Sequence, residues 1–203
     1  MFWGESDASV SFCENKYTTS KYIAEYYNTV SAMPYIFVGI FYYKNNLKEI
    51  GMSIIWLGIG TGILHGTQRF YGQIIDEASM LSLSFSIINK IRERQFYKKI
   101  SKKYLYFLLI FYLLTYKRFY IFFTIFSSLQ IYTYNLVTYR RNKNESKSSI
   151  YVDLYKYSLI LSTTCWLLDQ FLCEYVRNYY LHAVWHIGTS ISLFTGLIPF
   201  IIN

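Results

Sequence analysis

The sequence predicts an all-α polytopic membrane protein, a bundle of seven transmembrane helices. Three observations carry that expectation. The 203-residue chain is 53% hydrophobic and only 16% charged, which is too little charge to coat a soluble domain of this size. Its apolar residues fall in long runs separated by short polar or basic patches, as bilayer-crossing helices do. Aromatic residues make up 21% of the chain, and the tyrosines crowd the ends of the runs, where interfacial anchors belong. One domain is expected at this length.

Residues 1–21 form a polar lead of mixed charge, which is not the pattern of a cleavable signal peptide. Residues 22–203 then form the helical domain. Span one is expected over about 22–43, with Glu25 and Asn28 near its start and Pro34 inside it. Span two covers about 50–70 and holds the run Gly58-Ile-Gly-Thr-Gly62. No strand precedes those glycines, so they are no dinucleotide loop. They are expected to let a neighbouring helix approach closely. Span three covers about 73–91 and carries Asp76 and Glu77 in its first turn.

A basic loop leads to span four, about 104–116, and span five, about 119–139. Span four is short for a bilayer, and flanking Lys and Tyr must snorkel to complete it. Joining it to span five would bury Lys117 and Arg118 in mid-bilayer at a cost of several kcal/mol, so the two are kept apart. A polar loop at 140–149 precedes span six, about 154–173, and span seven, about 180–202. Trp185 in span seven is read as an interfacial anchor, and Cys165 in span six as an inert packing residue.

Seven crossings put 14 of the 20 Lys and Arg on the side opposite the N-terminus. By the positive-inside rule that side is cytosolic, so the N-terminus is lumenal and the C-terminus cytosolic. The sequon Asn144-Glu-Ser146 then faces the cytosol and is expected to stay unmodified. The net charge of +8 lies in the loops and comes with no nucleic-acid motif, so topology accounts for it and nucleic acid is not expected as a partner.

The candidate chemistry starts from His182-Ala-Val-Trp-His186, two histidines four apart on one helix face. The third and last histidine, His65, closes span two. Span parity brings all three, with Asp76, to one depth on the lumenal side. Taken singly, each histidine reads as an interhelical hydrogen bonder, and the pair alone could ligate haem. Together the three match a catalytic zinc with an open position, where water becomes acidic enough to attack a carbonyl. Asp76 is placed to take that water's proton. Thr61, one turn before His65, offers a hydroxyl for the oxyanion. The reaction class is metal-assisted hydrolysis of an amide or ester.

Trp3-Gly4, Phe12-Cys13-Glu14 and Tyr22 to Thr29 resemble the N-terminal signature of the alkaline ceramidases. Gly60 to His65 with Gln73 to Glu77 resembles that family's second block, and Asp169 to Cys173 with His182 to His186 its third. The resemblance spans nearly the whole chain in family order. It implies a seven-span zinc amidase of the endoplasmic reticulum or Golgi membrane. The substrate would be ceramide or a related sphingolipid, cleaved to a sphingoid base and a fatty acid. It implies zinc on His65, His182 and His186, Asp76 beside the attacking water, and Thr61 where the family has serine.

The resemblance also implies a calcium site in the N-terminal segment, and here the chain departs. The family's Asp-Trp-Cys-Glu-x-Asn becomes Ser11-Phe12-Cys13-Glu14-Asn15-Lys16, with Glu25 kept further on. Calcium takes six to eight oxygens and Lys16 offers none, which counts against calcium in this chain. The Lys16 ammonium is expected between Glu14 and Glu25 instead. Cys13 and Cys173 share the lumenal side, where a disulfide can tie the lead to the end of span six. Two other functions stay open at this point. One is hydrolysis of a different membrane lipid, such as a GPI-anchor acyl ester. The other is an inactive seven-helix receptor or transporter with a structural zinc.

Overall fold

Pro34 divides the first apolar run. The computed structural model describes residues 1–144 and 149–201, and in it the expected single span is two helices, α1 (Tyr26–Val30) and α2 (Met33–Lys44). Pro34 has no N–H to give to the carbonyl one turn back, so the helix breaks at Ser31 and Ala32 and restarts with proline in its first turn. Glu25 lies just outside α1 in an extended conformation. Its backbone N–H goes to the His65 carbonyl at 3.0 Å, and that of Ala24 to the Gly66 carbonyl at 2.9 Å.

The remaining helices follow the apolar runs closely. They are α3 (Lys48–Thr67), α4 (Phe70–Arg94), α5 (Lys102–Thr115), α6 (Phe119–Asn144), α7 (Ser149–Phe171), the short α8 (Cys173–Val176) and α9 (Leu181–Leu197). No strand occurs among the described residues. The break between α5 and α6 falls where Lys117 and Arg118 were expected to force it. Among the described residues two helical segments, Lys48–Thr67 and Leu181–Phe200, are long and apolar enough to cross a membrane. The sequon's Glu145 and Ser146 lie outside the described residues, as does the side chain of Asn144.

The long helices close into a ring. α2 packs on α3, α3 on α4, α4 on α6, α6 on α7, α7 on α9, and α9 returns to α2, while α5 leans on α4 and α6 from outside. One core cluster fills the end remote from the N-terminus, with Tyr42, Ile54, Leu83 and Ile91 at its centre. A smaller one joins Leu81, Tyr112 and Phe122 beneath α5. Cys165 is buried on α7. Outward, α5, α6 and α7 carry Phe107, Leu114, Ile131, Leu161 and Phe171, all more than half exposed.

The glycine run acts by contact. A Cβ on Gly60 would stand 2.7 Å from the Asp76 amide nitrogen, and one on Gly72 2.7 Å from the Leu64 Cα. These two positions let the α3 and α4 backbones touch. Gly62 meets nothing within 4 Å, so the close approach uses only part of the run. Gly60→Ala is therefore expected to destabilise the protein by about 1–3 kcal/mol through overpacking. Gly62→Ala is expected to be neutral or to stabilise by up to about 1 kcal/mol. Thermal melting of the two variants in detergent separates the outcomes.

Candidate metal centre

His65 ends α3, and His182 and His186 lie one turn apart near the start of α9. All three are buried, and each can offer a ring nitrogen such that the three atoms lie within 4.8 Å of one another. The ring centroids of His65 stand 4.9 Å from those of both His182 and His186. The chain termini of α3 and α9 bring them together at one end of the ring of helices.

The outward nitrogens decide whether a metal fits. His65 Nδ1 pairs with Glu25 Oε2 at 2.6 Å. His186 Nδ1 reaches the Asn28 carbonyl at 3.2 Å and Ser31 Oγ at 2.8 Å. A carbonyl can only accept, so this nitrogen carries the hydrogen and the lone pair is left on Nε2. His182 Nδ1 faces Asp169 Oδ2 at 4.0 Å, beyond hydrogen-bond length. Acceptors behind the imidazoles orient metal-ligating histidines and raise their basicity. The donor set fits a metal ion with three nitrogen ligands and an open position.

Asp76 and Thr61 meet beside this cluster. Thr61 Oγ1 donates to Asp76 Oδ1 at 2.5 Å, across the contact that Gly60 permits. The hydroxyl expected to serve an oxyanion is thus committed to Asp76 at rest. Thr61, Asp76, His182 and His186 line a cavity of about 670 Å³ inside the ring. Below the polar end its walls are apolar, with Met80, Leu83, Phe122, Phe126 and Leu159 among them. Trp185, expected as an interfacial anchor, is half-buried and lines this cavity, 6.3 Å from Trp166. Ile131 of α6 and Ile160 of α7 line it too, and both are more than half exposed.

The N-terminal lead covers the centre. Phe12 lies over the imidazoles, its ring 4.5 Å from His65 and 4.1 Å from His182. Cys13 and Cys173 are joined as a disulfide with Cα atoms 5.4 Å apart. The Cys13 N–H donates to Asp169 Oδ2 at 3.3 Å. Asp7 pairs with Arg69 at 2.9 Å, and the Ser9 N–H donates to Gln73 Oε1 at 2.7 Å.

The expected cation-site remnant is arranged differently from the expectation. Both Glu14 oxygens accept backbone N–H groups, from Tyr27 and Asn28, each at 2.8 Å. Burial pushes the Glu14 carboxyl above its ordinary pKa, and those amides pull it back. Glu25 Oε2 serves His65 and the Asn28 amide. Lys16 is near enough for its charge to act on Glu25. Among the described residues, however, no ion pair within 4.0 Å joins it to either carboxylate. Three of the four carboxylate oxygens are already taken, by the Tyr27 and Asn28 amides and by His65. Ser11 is exposed. Among the described residues, Glu25 Oε1 and Asn28 Oδ1 stay buried without a hydrogen-bond partner.

A family profile for ceramidases matches residues 4–202. The chain belongs to the ceramidase family. It is an alkaline ceramidase-like hydrolase, of the class that acts on linear amide bonds. A putative alkaline ceramidase of Dictyostelium discoideum is 26% identical over 247 residues, covering 95% of this chain and 85% of that one. Alkaline ceramidase 1 of Homo sapiens is 24% identical over 215 residues, covering 94% and 81%. An alkaline ceramidase of Saccharomyces cerevisiae reaches 33% identity over a shorter match of 87 residues, 39% of this chain and 28% of that protein.

Ser31, the Asn28 carbonyl and Asp169 gained no site role from sequence reasoning. Ser31 and Asn28 act through the kink before Pro34, which spacing on a continuous helix misplaces. Asp169 was legible only as part of the third ceramidase-like block. Glu25→Ala would leave the His65 N–H without its acceptor. It is expected to weaken metal binding by about 10–100-fold, measured by competition with a chelator of known affinity.

Proposed function

We propose that this ceramidase-family chain hydrolyses the N-acyl bond of ceramide inside a membrane, releasing a sphingoid base and a fatty acid. One observation carries the reading: the three-histidine cluster and the Asp76–Thr61 pair sit at the polar end of an apolar cavity whose lining includes the exposed Ile131 of α6 and Ile160 of α7. That is the shape required for a substrate with a small polar head and long chains. The family's curated members bear the name alkaline ceramidase, which supports the same substrate class.

The membrane setting belongs to the proposal. Seven helices of twelve residues or more, α2 to α7 and α9, are taken as the spans. Large apolar side chains such as Phe107, Leu114 and Phe171 face outward, which favours lipid over water around the bundle. The N-terminal segment 1–21 and the site are assigned to the lumenal side of an endoplasmic reticulum or Golgi membrane, and the C-terminus to the cytosol. This follows from the distribution of Lys and Arg.

His65, His182 and His186 are the proposed zinc ligands. Zinc held there supplies Lewis acidity, polarising the amide carbonyl and lowering the pKa of water. Asp76 accepts the proton of the attacking water as the water oxygen bonds to the carbonyl carbon. Once protonated, the Asp76 carboxyl becomes the donor to Thr61 Oγ1. The Thr61 hydrogen is then freed toward the developing oxyanion. As the C–N bond breaks, Asp76 returns the proton to the nitrogen, leaving a free amine and a carboxylic acid. Phe12 and the strapped lead keep bulk water from the imidazoles, and the acyl chain lies among the apolar residues of α4, α6 and α7.

The test is release of sphingoid base from ceramides of several chain lengths by the purified protein in detergent or liposomes. Wild type is expected to turn over at least one of them. His186→Ala is expected to retain no zinc and no activity. Asp76→Asn is expected to lower kcat by about 10²–10⁴-fold with zinc retained, and Thr61→Val by about 10²-fold. Chelator treatment is expected to abolish turnover and added zinc to restore it. A folded, zinc-loaded wild type that cleaves no ceramide refutes the proposal.

A further inference from the structure

We propose that Glu77 reads the substrate's head: its unpaired carboxyl oxygen receives one of the two hydroxyls that flank the amide-bearing carbon of the sphingoid base. The inference rests on ceramide as the substrate. It concerns a residue to which the hydrolytic mechanism gives no task.

Glu77 follows Asp76 on α4, and both line the same cavity. Its side chain is buried, with 2% of the residue exposed. One oxygen is fixed: Oε1 accepts from Gln73 Nε2 at 3.1 Å. Gln73 is itself clamped, since its Nε2 also donates to Ser9 Oγ at 2.6 Å and its Oε1 accepts the Ser9 N–H at 2.7 Å. The carboxyl is therefore held in one orientation. Among the described residues the other oxygen, Oε2, makes no hydrogen bond of normal length and angle. The Tyr112 hydroxyl is near enough to act on the Glu77 carboxyl, but its hydrogen bond by length and angle goes to the Gln73 carbonyl at 3.5 Å.

A buried carboxyl oxygen without a partner is costly in an apolar wall. Ionised, the group needs a donor. Protonated on Oε2, it needs an acceptor. An alcohol supplies both, so it satisfies Glu77 in either state. Ceramide carries two hydroxyls, each on a carbon next to the one that bears the nitrogen. Asp76 returns its proton to that nitrogen. The residue beside Asp76, in the same wall, is thus placed for a hydroxyl one bond further along. A site built to bond a substrate hydroxyl rejects the analogue lacking it, because its own buried group is then left unpaired.

The experiment compares ceramide with its 1-deoxy and 3-deoxy analogues of the same acyl chain. Wild type, Glu77→Gln and Glu77→Leu are tested as full-length protein in detergent. Binding is read by competition with a fluorescent ceramide, and turnover by kcat/KM for base release. Wild type is expected to prefer ceramide over one of the deoxy analogues by about 10–100-fold in both, and the analogue that suffers identifies the hydroxyl. Glu77→Leu should erase that preference while handling the disfavoured analogue as wild type does. Glu77→Gln, which keeps the shape and an acceptor, should shrink the preference at least threefold. Zinc content reports that the metal centre is intact in each variant, and if the leucine variant does not fold the glutamine variant decides. A wild type indifferent to both hydroxyls overturns the assignment, and so does a zinc-loaded variant that keeps the preference or loses affinity equally for all three lipids. Discriminating binding by a wild type that releases no base would instead refute ceramide hydrolysis and leave Glu77 as the head-group reader.

Discussion

Imidazoles that converge on one point in an apolar interior are oriented by the partners of their outer nitrogens, which two of the three have here. Glu25 takes that of His65, and the Asn28 carbonyl and Ser31 take that of His186. Both sets of partners come from the short stretch between the polar lead and α2. Much of the architecture follows from those pairings. Glu25 is extended rather than helical, so its amide can hold the His65 carbonyl while its carboxylate holds the His65 ring. The chain then makes one short helix, α1, breaks before Pro34, and so aims the carbonyl of Asn28 and the hydroxyl of Ser31 at α9.

The second constraint is the contact of α3 with α4. Side chains on facing helices ordinarily hold backbones 8–10 Å apart. Glycine at 60 and 72 removes the obstruction on each side in turn. The hydroxyl of Thr61 then reaches the carboxyl of Asp76 directly. The same helix face carries Glu77 and Gln73 on toward the lead. One glycine-mediated seam therefore sets the proposed proton carrier, the hydroxyl beside it and the carboxyl assigned to the substrate's head.

The lead is a structural member and not a loose tail. Ion pairing at Asp7, the Ser9–Gln73 bonds, the disulfide and the ring of Phe12 fasten it across the ends of α3, α4, α7 and α9. The carboxylates of Glu14 and of Glu25, just past the lead, are engaged here as well. Glu14 caps α1 through two amides, and Glu25 serves a histidine. An ammonium from Lys16 is left only Glu25 Oε1, and among the described residues no ion pair forms there.

Composition and the order of apolar runs were enough to establish helices in place of strands and to locate most of their ends. Pairs of charges at 117–118 and the basic loop before Lys102 are incompatible with a helix in an apolar layer, whatever it packs against. Counting the runs also put the three histidines and Asp76 at one end, because parity depends only on chain order. The ceramidase-like blocks named the same residues from a resemblance. Tertiary structure alone decided which atoms back the histidines, that Thr61 rests on Asp76, that Trp185 turns inward to the cavity, and that Lys16 pairs with neither carboxylate. These depend on a kink, on a backbone contact a few ångströms wide and on competition between acceptors. Such choices are made by three-dimensional proximity, which periodicity along one helix does not encode.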